Sequence, residues 1–250
     1  MNLFKSGNPA FMKSTFESGA ETIEGGSVMT LQGTMLKTLL LFVLLLLPAG
    51  FVWNMFFKGE YLDMVMPVLI GSSILAAILG VVIIFAKKAA PYLSPIYAVA
   101  EGVVLGTLSA FVEMQFKGIV IQAVMITLCI FAAMLFIYAT GIIKVTNGLR
   151  TGIFAATAGV ALMYGVNMIM RLFGGGMPFL HESSPLGIGI SAVVCIIAAL
   201  NLLLDFEFIK QGSQGSLPKY YEWYGAFGLM MTLIWLYLEI LRLLTKLRNR

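Results

Sequence analysis

Residues 38–57 read TLLLFVLLLLPAGFVWNMFF, a run with no charged side chain. As a helix it would extend about 30 Å, the thickness of a bilayer's hydrocarbon core. Apolar residues occupy every face, so no side is left for water, and the run lacks the strict alternation of a barrel strand. It reads as a first transmembrane helix and signal anchor, with Pro48 expected to kink it. The whole chain has the same character. It is 60% hydrophobic and 11% charged, with a mean hydropathy of +0.95. A soluble domain carries about 25% charged residues, so this chain cannot cover a water-facing surface. In hydrocarbon each backbone polar group must be satisfied internally, which leaves a helical bundle.

Six more apolar runs follow, at 64–86, 95–112, 118–143, 152–173, 185–209 and 221–244. Their short connections make consecutive helices antiparallel. The expected fold is therefore all-α, a polytopic membrane protein of seven transmembrane helices. Residues 1–36, rich in Gly, Ser and Thr, read as a flexible cytoplasmic tail, and 37–250 as the membrane domain. That tail is too long and too mixed in charge for the start of a cleaved signal peptide. The third run is the weakest, because Glu101 interrupts it. Its Gly102-x-x-x-Gly106 spacing suits close helix packing.

Basic residues orient the chain. The tail and the second, fourth and sixth connections hold Lys5, Lys13, Lys37, Lys87, Lys88, Lys144, Arg150, Lys210 and Lys219. The other connections hold Lys58, Lys117 and Arg171. The count places the N-terminus in the cytoplasm. Arg242, Lys246, Arg248 and Arg250 add charge to the sparse side and oppose that placement. A last helix that re-enters would remove the conflict.

Several chemistries lack their residues. There is no Gly-rich phosphate loop, His/Cys cluster or nucleophile elbow, and no Ser–Lys or paired-Asp motif with catalytic spacing. No basic domain points to nucleic acid. His181, the single histidine, reads as a solvated loop residue, and Cys129 and Cys195 as packing residues within apolar runs. Neither an enzyme nor a cofactor is expected.

Carboxylates within a span are costly and mark function by default. Asp205 lies roughly 8 Å inside Lys210, and Glu101 roughly 9 Å inside Pro95. Glu222 opens the seventh span, and Lys87 and Lys88 close the second, all on the cytoplasmic side by the charge count. Asp205 and Glu207 are about 200° apart around the helix and face opposite ways. Asn201, one turn earlier, shares the face of Asp205. That face is read as turned into the bundle, and Glu207 as nearer the headgroups. Glu239 and Arg242, three apart, can pair on the seventh helix. Gly225, Thr232 and Glu239 form a stripe suited to a surrounded helix. Tyr220, Tyr221, Trp223 and Tyr224 read as an interfacial aromatic belt.

The segments LLLDFEFI (202–209) and KYYEWYGAFGLMMTLIWLYLEILRLL (219–244) resemble the Bax inhibitor-1 family, its bacterial branch above all. So do SPIYAVAEGVVLGTLS (94–109), PFLHESSPLGIGIS (178–191) and AALNLLLDFEFI (198–209); the resemblance runs from about Leu36 to Arg250. It implies seven helices with the last one central, and a bacterial inner (plasma) membrane location. It also implies a pH-sensitive calcium leak controlled by an aspartate pair on the sixth and seventh helices. Asp205 matches the sixth-helix aspartate. The seventh-helix position, ten residues before Arg242, is Thr232 and not an acid. Glu101 or Glu222 would then be the substitute partner, and Lys87 or Lys88 the basic latch the family draws from its second helix.

Two functions compete. One is a proton-gated cation leak, in which desolvation of a buried carboxyl group opposes the pull of a nearby cation. Asp205, Asn201, Glu101 and Thr232, with carbonyls and water, would give calcium a weak, partial shell. The other is a regulator that binds a membrane protein partner, such as a protease. The tail, with Phe4, Phe11 and Phe16, motivates it.

Overall fold

A computed structural model describes residues 27–59, 62–177 and 182–249. Among them, seven helices are long and apolar enough to cross a membrane: α1 (Leu31–Lys58), α2 (Leu62–Phe85), α3 (Ala90–Gln115), α4 (Ile119–Ala139), α5 (Asn147–Leu172), α6 (Pro185–Gln214) and α7 (Tyr221–Arg248). No strand occurs among the described residues; a lone bridge joins Val28 to Pro218. Side chains such as Leu39, Leu47, Phe51, Phe85 and Phe136 point outward with more than half their area exposed. A water-soluble chain would aggregate through such a surface, and here it faces lipid.

Local chemistry sets the helix ends. Thr30 caps α1, accepting from Gly33 N–H at 3.0 Å, and Gly59 closes it in the left-handed conformation (φ 73°). Thr146 caps α5 through Leu149 N–H, and Ser184 receives Gly187 N–H at the start of α6. The expected boundaries shift in three places. Helix α1 begins at Leu31, and the four residues before it are paired: Met29 N–H donates to Leu217 O and Lys219 N–H to Ser27 O. The rest of the expected tail, including Phe4, Phe11 and Phe16, lies outside the described residues, as does His181. Helix α3 begins at Ala90 after a 3-10 turn (Lys87–Ala89), because Pro91 fits a first helical turn. Helix α6 continues to Gln214, past the expected end.

The chain divides into two compact units. Among the described residues, the first gathers 27–117 with Ile209–Met230, and the second Gly118–Phe208 with the later part of α7. In the first, α3 packs tightly on α1. A Cβ on Gly102 would stand 2.2 Å from Leu45 O, and one on Gly106 2.5 Å from Ala49 O. Only glycine permits that approach, as the spacing predicted. Tyr97 meets Phe227 edge-on, with ring centres 5.0 Å apart. Tyr221 and Tyr224 are fully buried, so half of the expected aromatic belt belongs to the interior. Cys195 is buried as expected, whereas Cys129 is exposed on α4. Helix α7 is the most buried of the seven, with 61% of its apolar window enclosed, and α3 and α6 follow.

Candidate functional site

The second unit holds Asp205, Asn201 and Thr232, all buried. Asp205 has no exposed area. It lies nine residues from the end of α6, about 14 Å along the axis, further from the helix end than the shorter expected helix implied. Asn201 donates through Nδ2 to Thr157 Oγ1 on α5 and to Ile197 O, each at 2.8 Å. Thr157 went unnoticed in the sequence because an isolated threonine in an apolar run carries no signal.

At the far ends of α6 and α7, Lys246 Nζ donates to Ser191 Oγ at 2.7 Å and to Gly187 O at 2.9 Å. Fourteen residues separate Ser191 from Asp205, and fourteen separate Lys246 from Thr232. In two antiparallel helices of equal rise, Thr232 is then expected within about one turn of the level of Asp205. The same contact removes Lys246 from the loop charges, and Arg242 is bound by Glu239 at 3.0 Å. Two of the four C-terminal basic residues that opposed the orientation are thus internal pairs. Helix α7 is also continuous and does not re-enter.

Glu207 differs from expectation. It receives Tyr138 O–H of α4 at 2.8 Å and Arg150 Nη2 of α5 at 3.1 Å. It is thus tied to protein rather than to headgroups. Phe206 beside it packs against Phe131 and Tyr138, so α4 and α5 hold this part of α6 from two directions. Fourteen residues further along α5, Tyr164 O–H donates to Glu239 (3.1 Å), which also receives Arg242 as the spacing predicted and Trp235 Nε1–H (3.2 Å). Arg242 also donates to the Tyr164 hydroxyl and lies over its ring. Placing an ionisable side chain at mid-membrane costs about 2.5–3.5 kcal/mol on insertion scales. An interhelical hydrogen bond returns about 0.6 kcal/mol on average.

In the first unit Glu222 is fully buried. Its carboxylate accepts Thr30 N–H (2.9 Å) and Thr30 O–H (2.8 Å), and pairs with Lys37 and with Lys219 (3.2 Å). A negative charge at the N-termini of α1 and α7 suits both helix dipoles. A Cβ on Gly33 would lie 2.3 Å from this carboxylate, so glycine makes room for it. Glu222 therefore clamps α1 to α7. Glu101, half-buried on α3, sits eleven residues into the helix, about 16 Å, near its middle. Lys87 is half-buried and Lys88 exposed in the turn before α3. About 20 Å of helix axis separates them from Glu101.

Among the described residues, no three His, Cys, Asp or Glu side chains form a metal-holding group. An apolar groove of about 560 Å³ runs between α5 and α6, lined by residues that include Gly159, Met163, Gly189 and Ile197. It has no ionisable lining.

Fold and site together define a multi-pass helical membrane protein in which Arg150, Asp205, Glu222, Glu239 and Lys246 are buried. The chain belongs to the Bax inhibitor 1 like family, whose model matches residues 8–249. No curated protein and no solved structure matches it.

Proposed function

We propose that this protein is a pH-sensitive leak for calcium or a related cation, with Asp205 as its proton- and ion-responsive group. The observation that carries the reading is a carboxylate with no exposed area on α6, one turn from Asn201. Calcium takes six to eight oxygens. One carboxylate with Asn201, Thr157 and Thr232 oxygens, carbonyls and water makes a weak site, as a leak requires. The reading needs no enzyme chemistry, cofactor or nucleic acid. Glu101 remains the proposed second carboxylate, and Lys87 or Lys88 the proposed latch. Glu222 is already committed to Thr30 and two lysines, so its part is to hold α1. The N-terminus is assigned to the cytoplasm of a bacterial inner membrane, and the internal pairing of Lys246 and Arg242 supports that assignment. Calcium flux into proteoliposomes, measured with and without Asp205→Asn, tests the reading.

A second reading is a regulator that binds a membrane protein partner. The α5–α6 groove favours it: a Cβ on Gly159 or Gly189 would meet nothing within 4 Å, so no packing within the chain requires these glycines. If a partner helix occupies the groove, Gly159→Leu abolishes co-purification and leaves flux unchanged. Retained co-purification in that variant removes this support.

A further inference from the structure

Helix α5 turns one face to its neighbours, where Arg150 and Thr157 bond to α6 and Tyr164 to α7. Its opposite face carries a second pattern. Gly148, Gly152, Ala155 and Gly159 are all exposed, at alternating spacings of four and three residues. Leu162, Val166 and Ile169 continue the alternation, each between 45% and 69% exposed. Helix α6 repeats it with Leu186, Gly189, Val193, Ile196 and Leu200, all exposed except the half-buried Leu200. An apolar repeat of 3.5 residues is the seam along which helices pack side by side in left-handed pairs. Both seams border the α5–α6 groove, which continues past Ala156 and Ile197 into a stretch of about 450 Å³ lined by Gly148, Gly152 and Leu200. A Cβ at Gly148, Gly152, Gly159 or Gly189 would meet nothing within 4 Å. A helix that faced only lipid would gain nothing from these glycines, which are poor helix formers. Close approach of another helix needs them.

We propose that a second copy of this chain fills the groove, the two α5–α6 pairs closing into a four-helix bundle. This names the occupant that the partner-binding reading left open, and it rests on that reading of the groove. Each protomer supplies two antiparallel helices with one seam each, which is half of such a bundle. Two copies inserted the same way round in one membrane are related by an axis along its normal, so every residue keeps its depth. Gly148 and Leu200 share one end of the groove, and Met163 and Leu186 the other. Gly152 is then level with Ile196, and Ala155 with Val193, to within about one turn. In the bundle each α5 neighbours the α6 of the other copy. The large Val193, Ile196 and Leu200 of one copy therefore meet the notches that Ala155, Gly152 and Gly148 leave in the other. A helix of a different protein would need the same order of large and small residues, and this chain already carries it. Neither seam contains a charged residue. Together the exposed seam residues offer on the order of 800 Å² per protomer, which is what a standard interface buries on each side.

The test measures energy transfer between donor- and acceptor-labelled full-length chains in liposomes over a range of protein-to-lipid ratios. Wild type should show transfer that saturates as density rises, and excess unlabelled chain should suppress it. Gly152→Leu fills the notch that Ile196 enters, and should raise the density for half-maximal transfer by about ten-fold or more. Gly71→Leu, at an exposed glycine on α2 that also meets open space, should match wild type. Thermal melting in detergent confirms that both variants fold. Copies carrying Gly152→Cys, mixed with copies carrying Ile196→Cys in a Cys129→Ser, Cys195→Ala background, should form a disulfide between chains on oxidation. Transfer no greater than chance proximity at every density, or wild-type transfer in Gly152→Leu, would overturn the proposal. A different membrane protein that co-purifies, and is lost in Gly159→Leu, would leave the partner-binding reading standing in that event. Saturating transfer with no such protein would leave self-association standing alone.

Discussion

Lys246 of α7 donates to Ser191 of α6 at 2.7 Å, tying the end of α7 to the beginning of α6. Fourteen residues from this contact along each helix, Thr232 and Asp205 are expected within about one turn of the same level. Thr232→Asp should therefore create a pair of carboxyl groups that resist double ionisation, and calcium flux should titrate in two steps rather than one. Flux measured against pH in proteoliposomes decides this. A single unshifted transition in the variant would mean that the two side chains do not sense each other.

Replacing Lys246 with Met leaves the Gly187 carbonyl and the Ser191 hydroxyl buried without their donor. The expected loss is about 1–3 kcal/mol, visible as a lower melting temperature in detergent. Tags on the two ends should still report opposite sides of the membrane, since this lysine is an internal pair and not an orienting charge. A flipped topology would show that it does orient the chain.

Glu222→Gln keeps the shape and removes the charge that binds Lys37, Lys219 and Thr30. Hydrogen bonds to charged groups contribute about 1.5–3 kcal/mol, and destabilisation on that scale is expected. Hydrogen exchange should rise first at the start of α1, where the acceptor of Thr30 loses its charge. Uniform exchange along α1 would place the anchor elsewhere.

Two classes of glycine should separate in a thermal melt. Gly102→Ala and Gly106→Ala drive a methyl into the Leu45 and Ala49 carbonyls and should cost about 1–3 kcal/mol. Gly159→Ala meets open space and should be neutral or stabilise by up to about 1 kcal/mol. Equal effects in the two classes would contradict the packing of α3 on α1.

The sequence made some of this visible for clear physical reasons. Long uncharged runs gave the seven spans, because lipid demands them. The i,i+4 glycines marked the α1–α3 contact, and the i,i+3 spacing marked Glu239 with Arg242. Contacts between distant segments were hidden. Glu207 finds Tyr138 and Arg150 at separations of 69 and 57 residues, and Glu222 finds Thr30 at 192. No local pattern encodes such pairs. The aromatic cluster misled because its composition fits an interface, while Tyr221 and Tyr224, three apart, share one face that turns inward. Asp205 and Glu101 stand further from their helix ends than the apolar runs implied, because α6 continues into polar residues and α3 starts back at Ala90.

The most direct test of the central claim is calcium flux through proteoliposomes of wild type and Asp205→Asn across about pH 5–8. The buried carboxyl group should make wild-type flux change with pH, and the variant should lose that dependence while keeping its fold. A variant with the pH profile and rate of wild type would contradict the account.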